Sequence, residues 1–365
     1  MIRNIIVFFF FAVFLLQNHA VLAKDSNQEP PLLLPTFPAL HIQEPVMFCG
    51  ERVPVDRPDV REILEKELLM LLGDPAQVIL WLQRTGRYFP QIEKTLQDNN
   101  LPDDLKYVAV IESGLRPHAG SSKGALGFWQ FMESTGRRYG LTINGDKDER
   151  RSLTASTIAA SRYLKDLRST FGTWALAIAA YNMGEDQLRA DLMNQDIDDY
   201  YKCYLSLETQ AFIPKIVAVK LIISNPGRYG FDLKPGDMYQ PYKFDQVTVS
   251  IKEKVPLRLI AFAAGSYFKE IKELNPELRG DFLTGGPHTL AVPQGGGGSQ
   301  FHTRFDKLLA EWKEKNKKNT YIVQQGDNLS TIAERFNIPL SSLLGWNDLP
   351  AGQHIQPGKK LVIYR

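Results

Sequence analysis

Glu112 follows a run of apolar residues, Leu105, Val108, Ala109 and Ile111, and stands just before Gly114 and Pro117. The run recurs at helical spacing. Leu101-Pro102-Asp103-Asp104 supplies the proline and acids that open a helix, and the later glycine and proline close it. The sequence therefore predicts a helix with Glu112 in its last turn. A carboxyl there faces the negative end of the helix dipole, and burial beside Val110 and Ile111 also favours the neutral acid. A protonated carboxylic acid can hand its proton to a departing sugar oxygen. The plain alternative is a helix-end carboxylate in water.

A second cluster follows at Ser121-Ser122-Lys123-Gly124-Ala125-Leu126-Gly127-Phe128-Trp129-Gln130-Phe131. It predicts a glycine turn leading into a helix. Glycine lets backbone approach a ligand closely, and an amide such as Gln130 can read hydroxyl and acetamido groups. Phe128 and Trp129 suit either a binding wall or the core. The third cluster closes the apolar stretch Trp174 to Tyr181, which predicts a buried helix. Its end, Tyr181-Asn182-Met183-Gly184, places a phenol and an amide at the domain interior, with glycine as the cap. A core tyrosine with a satisfied hydroxyl is the structural alternative.

Taken in order, Glu112-Ser113, Gly124 to Gln130, Ala180 to Gly184 and Glu208-Thr209 resemble the motif set of the family 1 lytic transglycosylases. The membrane-bound D type, with a C-terminal LysM module, is the nearest in plan. The resemblance implies a lysozyme-like fold over residues 60–235 and cleavage of the β-1,4 bond between N-acetylmuramic acid and N-acetylglucosamine in peptidoglycan, leaving 1,6-anhydromuramic ends. It implies Glu112 as the single catalytic acid and base, with Ser121, Gln130, Tyr181 and Asn182 holding the sugar and its acetamido group. No cofactor and no metal are implied, and no His/Cys cluster has zinc-ligand spacing. The family usually carries a tyrosine where this chain has Phe212, so one hydroxyl contact is missing there. Two other readings are a lysozyme-type hydrolase, with Glu208 the main candidate for a second carboxylate, and a non-catalytic wall-binding protein.

The rest of the chain must position these groups. Its 365 residues suggest two or three domains, and 43 Lys+Arg against 41 Asp+Glu gives no case for nucleic acid as partner. Residues 1–23 read as a secretory signal: Arg3, an apolar run from Ile5 to Leu16, and small residues up to Ala23. This places the protein outside the cytoplasm, in the periplasm or cell envelope. An uncleaved anchor is the alternative, so membrane association stays open. The D type often carries a lipid-bearing cysteine directly after the signal, and here Lys24 stands in its place. Residues 24–59 are proline-rich and predict an extended arm. Cys49 and Cys203, the only cysteines, are a candidate disulfide worth about 4–5 kcal/mol at most. Helices are expected from Val60, from Pro75 after the Gly73-Asp74 break, and from Tyr88-Phe89-Pro90. The stretch Ile143 to Arg151, with Asp146, Asp148 and Glu149, predicts a solvated surface loop.

After Tyr229 the composition changes. Phe244 to Ile251 alternates like a strand, two short helices follow, and His288 to Pro293 reads as another strand. This predicts a degenerate LysM-like module over residues 240–294. Gly295 to Ser299 is a flexible linker by composition, within a connecting segment 295–319. Residues 320–365 repeat the strand-helix-helix-strand plan and closely resemble a LysM domain, whose glycan groove would map to Gly326, Asp327, Asn328 and Leu329. The expected whole is an α+β multidomain chain, a mainly α lysozyme-like domain followed by small βααβ modules, bound to peptidoglycan glycan strands.

Overall fold

The computed structural model describes Ile42, residues 44–315 and residues 319–363. The expected signal at 1–23 and most of the proline-rich arm lie outside the described residues. The rest of that arm is a hairpin, β1 (Val46–Phe48) and β2 (Glu51–Val53). Seven principal helices and one short one then build the first domain: α1 (Pro58–Leu72), α2 (Pro75–Asp98), α3 (Lys106–Ser113), α4 (Glu133–Arg138), α5 (Leu153–Phe171), α6 (Trp174–Met183), α7 (Glu185–Gln195) and α8 (Leu207–Ser224). Residues 174–180 of α6 are all buried, as an all-round apolar helix requires. α5 and α8 pack against it, and Leu164 and Leu167 of α5 and Ile213, Ile216 and Val217 of α8 are buried.

Pro90 opens no new helix. It lies inside α2, which runs unbroken to Asp98. Val78, Leu82, Phe89, Ile92 and Leu96 bury one continuous face, and this packing outweighs the lost backbone bond and the ring clash that proline brings to a helix interior.

The hairpin fastens the far ends of three helices. The Glu51 carboxylate accepts from the Trp174 N–H at 2.9 Å and the Ala175 N–H at 3.3 Å, capping α6. Asp104, in the 3₁₀ turn that leads into α3, accepts from the Cys49 N–H at 2.7 Å and from Lys220 of α8 at 2.8 Å, and Lys220 also donates to the Met47 carbonyl. Polar bonds rather than a disulfide do the fastening: Cys49 and Cys203 are both buried free thiols. Cys49 occupies the hairpin turn at φ 52°, while Cys203 lies in the segment before α8.

The second domain contains β3 (Phe244–Ile251), β4 (Val255–Pro256), α9 (Arg258–Ala263), α10 (Phe268–Leu274), β5 (Phe282–Leu283), β6 (Gly286–Pro293) and α11 (Phe301–Lys315). β3 and β6 pair antiparallel along their whole length. The third has β7 (Asn319–Ile322), α12 (Leu329–Arg335), α13 (Leu340–Trp346) and β8 (Lys360–Ile363), with β7 and β8 paired. One device recurs in both. Asn275, after α10, donates to Ile271 O and Ala291 O and accepts from the Ala291 N–H. Asn347, after α13, donates to Leu343 O and Val362 O and accepts from the Val362 N–H. The same clamp ties the second helix to the last strand, so the two modules are built alike.

Two expectations about the connecting segments change. Residues 295–315 of the expected connecting segment are not a loose linker: Phe301, Phe305 and Trp312 of α11 sit in the core of the second domain, and residues 316–318 lie outside the described residues. The glycines before it form a packed turn. Gly295 and Gly297 N–H groups donate to Asp245, and a Cβ on Gly296 would lie 2.8 Å from the Ala264 carbonyl oxygen. The loop 143–151 is not simply solvated either. It docks the second domain: the Asp148 N–H donates to Glu277 O at 2.8 Å, the Arg279 N–H to Asp146 O at 2.8 Å, and the Thr284 hydroxyl to the Asp146 carboxylate. Asp148 is fully buried between Arg150 and Arg279.

Gly296→Ala is expected to lower stability by about 1–3 kcal/mol, because the new methyl meets backbone oxygens that cannot swing away. A thermal melt checks this, and an unchanged midpoint would restore the linker reading.

Candidate active site

Glu112 occupies the last turn of α3, as expected, and Gly114 closes that helix in the left-handed region at φ 59°. A Cβ there would lie 2.9 Å from the Trp81 Nε1, so glycine serves both the turn and the close approach of the indole. The Arg84 guanidinium donates to the Gly114 carbonyl at 2.9 Å. Among the described residues none donates a hydrogen bond to the Glu112 carboxyl. Burial, aided by the negative charge of Glu208 and opposed by Lys215, pushes its pKa up to about 8. The group is therefore an acid at neutral pH. Lys215, two helical turns beyond Glu208 on α8, is the nearby cation; a lone lysine in an apolar helix gives no local signal of this role.

The segment after Gly127 differs from the expected helix. Phe128 to Gln130 form a tight turn, Leu126 and Phe131 face each other in a β-bridge, and α4 begins only at Glu133. Gln130 sits at φ 48°. Its amide nitrogen donates to Ala119 O and Gly127 O, each at 2.9 Å, so the turn uses both donors and leaves the amide oxygen for a ligand. Phe128 and Trp129 are buried core, and the Trp129 indole donates to the Thr157 hydroxyl at 3.0 Å. Two bonds fix this turn to α3 and α6. The buried Ser113 hydroxyl donates to Phe128 O at 2.8 Å, and the Tyr181 hydroxyl donates to Trp129 O at 2.5 Å.

Tyr181 thus has a satisfied hydroxyl and also borders the acid. Its pKa is driven well up by burial and then by Glu112 and Tyr163. It belongs to an aromatic group with Phe131, Tyr139 and Tyr163, in which the Tyr163 and Tyr181 centroids are 5.3 Å apart. Asn182 beside it accepts from the buried Thr209 hydroxyl at 2.9 Å, which leaves its amide N–H groups unspent. Gln130 and Asn182 therefore offer opposite halves of an amide, an acceptor and two donors, suited to an acetamido group. Thr209 was legible only as a motif residue; its orienting bond to Asn182 is tertiary. Ser121 is exposed, with its hydroxyl accepting from the Ala125 N–H at 3.1 Å to shape the outer turn. Phe212 is buried.

In the third domain the four expected groove residues mostly build the module. The Asp327 carboxylate accepts from the Tyr321 hydroxyl at 2.6 Å and the Gln324 N–H at 2.8 Å, and pairs with Arg335. Asn328 caps α12 and Leu329 is core. Gly326, exposed at φ 89°, leaves backbone open at the turn. A separate cavity of about 240 Å³ lies between α2 and the β3–β6 sheet, lined by Tyr88, Phe128, Tyr242 and Phe244 among others. It does not include Glu112. No group of three or more His, Cys, Asp or Glu side chains among the described residues is placed to hold a metal ion.

Residues 89–203 match the family model described as the transglycosylase SLT domain, and residues 321–363 match the LysM domain. Over 330 residues the chain is 31% identical to membrane-bound lytic murein transglycosylase D of Escherichia coli, covering 87% of this chain and 72% of that protein. Among solved structures, the 70 kDa soluble lytic transglycosylase of Escherichia coli aligns with 44% of this chain and 28% of its own length, at 20% identity and a TM-score of 0.34. Its complex with bulgecin A aligns at 19% identity and a TM-score of 0.30, over 42% of this chain and 27% of the other.

A carboxyl whose folded pKa lies above its unfolded value favours the fold most at low pH, and this advantage is lost as pH rises toward 8. Glu112→Gln removes the loss. At pH 8 the variant is expected to be more stable than the parent by about 4 kcal/mol, and at pH 4 the two should melt together.

Proposed function

The chain belongs to the membrane-bound lytic murein transglycosylase D family, and from that premise we propose that it cuts peptidoglycan glycan strands with Glu112 as its single acid–base group. The observation that carries the assignment is a buried carboxyl raised to about 8, with no hydrogen-bonded partner among the described residues. In its protonated form Glu112 gives its proton to the glycosidic oxygen between N-acetylmuramic acid and N-acetylglucosamine. The substrate's own 2-acetamido group stabilises the charge at the anomeric carbon, held by the Gln130 oxygen on one side and the Asn182 amide on the other. Glu112, now a carboxylate, takes the proton of the sugar 6-hydroxyl as that oxygen closes on the same carbon. Water is not consumed, and the product is a 1,6-anhydromuramic end.

Tyr181 supports this reading as a wall beside the acid. Its hydroxyl is held by Trp129 O, which keeps the turn bearing Gln130 against α6. Ser121 caps the loop through its hydroxyl oxygen and keeps its own hydroxyl proton to give to the sugar. A hydrolase would need a base to activate water. Glu208 is exposed in the first turn of α8, and its service here is to hold a negative charge near Glu112, which keeps the acid protonated. The third domain, a LysM domain, binds the glycan and raises the local concentration of strands at the catalytic domain. The place of action is the cell envelope. No helix among the described residues is long and apolar enough to cross a membrane.

Mass spectrometry of fragments released from purified peptidoglycan tests the chemistry. Muropeptides lighter by one water than reducing-end products are expected; reducing ends would mean hydrolysis. Glu112→Gln should lower turnover by at least about a thousandfold while binding to sacculi persists. The rate of the parent should fall as pH rises through about 8, where Glu112 loses its proton. Removing residues 319–363 should weaken binding to sacculi and spare the cutting of short soluble fragments; loss of both would refute the division of labour.

A further inference from the structure

Between the first and second domains an ion cluster connects residues far apart in sequence. The Asp148 carboxylate is 0% exposed. Arg150 holds it with two bonds, Nε to Oδ1 at 2.9 Å and Nη2 to Oδ2 at 2.8 Å. Arg279, in the turn between α10 and β5, donates from Nη2 to the same Oδ2 at 2.9 Å and from Nη1 to Asn144 O at 2.9 Å. Burial works against the charge of Asp148, yet the hydrogen bonds and charge of Arg150, with the charge of Arg279, carry its pKa below the usual carboxylate range. The cluster is therefore ionised and fully paired, the condition under which a buried charge is tolerated.

The other face of Arg150 meets the sugar-binding turn. Its Nη1 donates to Gly124 O at 3.0 Å and to Phe131 O at 3.1 Å, the two ends of the segment that carries Gln130. The same segment rests on the Arg150 backbone: a Cβ on Gly127 would fall 1.8 Å from Arg150 O. The guanidinium plane thus sets the turn, and Asp148 sets the guanidinium. Asp148 is itself held from the second domain. That domain has other ties to the loop, through Glu277 O, the Arg279 N–H and Thr284, so the Arg279 side chain is not needed merely to attach it.

The shared asparagine clamp shows what has been given over to this contact. Residues after Asn275 in the second domain correspond to residues after Asn347 in the third. In the third domain that stretch is largely exposed, and its ion pair, Asp348 with Lys254 of the second domain at 3.0 Å, leaves the Asp348 side chain 87% exposed. In the second it is spent on the catalytic domain.

Resting on the transglycosylase reading above, we propose that Arg279 is a positioning residue for catalysis: through Asp148 and Arg150 it holds the Gly124–Phe131 turn, and so Gln130, in register with the sugar. The second domain then serves as part of the catalytic frame, and glycan binding is left to the third.

The test uses the full chain with Arg279→Ala and Arg279→Lys. Steady-state turnover of short soluble glycan fragments is measured beside hydrogen exchange of the amides in residues 119–131. Arg279→Ala should raise KM about three- to tenfold with a smaller change in kcat, and should speed exchange in that turn. Arg279→Lys keeps the charge but cannot span Asn144 O and Asp148 together, so its effects should be intermediate. A folded Arg279→Ala protein with parental KM and parental exchange in 119–131 would overturn the proposal, even if its melting temperature fell. Should Arg279→Ala fail to fold, the same two measurements on Arg279→Lys decide. The exchange readout does not depend on the reaction, so a parent that proved to be a hydrolase would refute the transglycosylase reading without touching this one.

Discussion

A carboxyl that must remain protonated at neutral pH cannot be given a cationic clamp or a full shell of water, and this constraint orders the first domain. Glu112 is kept an acid by burial and by a like charge nearby, both of which destabilise the ionised form. Neither influence holds the group in place. Its position must come from the backbone of α3, so the ends of α3 carry unusual care: Asp104 at the start is bonded to the hairpin and to α8, and Ser113 and Gly114 at the finish are bonded to Phe128 and Arg84. The helix is short, and both of its ends are fixed.

The groups proposed to hold the sugar follow the same logic by other means. Gln130 and Asn182 each commit half of an amide to the protein and keep half for the ligand. Side chains oriented by such bonds lose little freedom when a ligand arrives, which is the physical content of a preformed site. Tyr181 closes the arrangement by joining α6 to the turn that bears Gln130.

What could be read from the sequence was what depends on local pattern. The apolar rows of α3, α5, α6 and α8, the glycine caps after Ser113 and Met183, and the βααβ plan of both modules all follow from periodicity and turn chemistry. Glu112, Gln130, Tyr181 and Asn182 were legible as a motif set. What escaped depends on partners distant in the chain. Asp148 looked solvated because its second cation, Arg279, lies 131 residues away. Glycines 295–298 looked loose because composition does not reveal that Ala264 and Asp245 press against them. Gln130 looked helical because an amide that bonds back to Ala119 and Gly127 leaves no periodic signal. Pro90 looked like a helix start because the burial that keeps α2 intact comes from other elements.

The hairpin at residues 46–53 bears on where the catalytic unit begins and ends. Glu51 caps the helix that delivers Tyr181, and Thr209, Lys215 and Lys220 reach the site or its supports from α8. All of these lie outside residues 89–203, the span that the transglycosylase SLT model matches. A fragment trimmed to that span would keep Glu112, Gln130 and Tyr181 and lose the struts that orient them. The smallest autonomous catalyst is therefore set by where the supports lie, on both sides of that span, and edges drawn from the model match alone fall too tight.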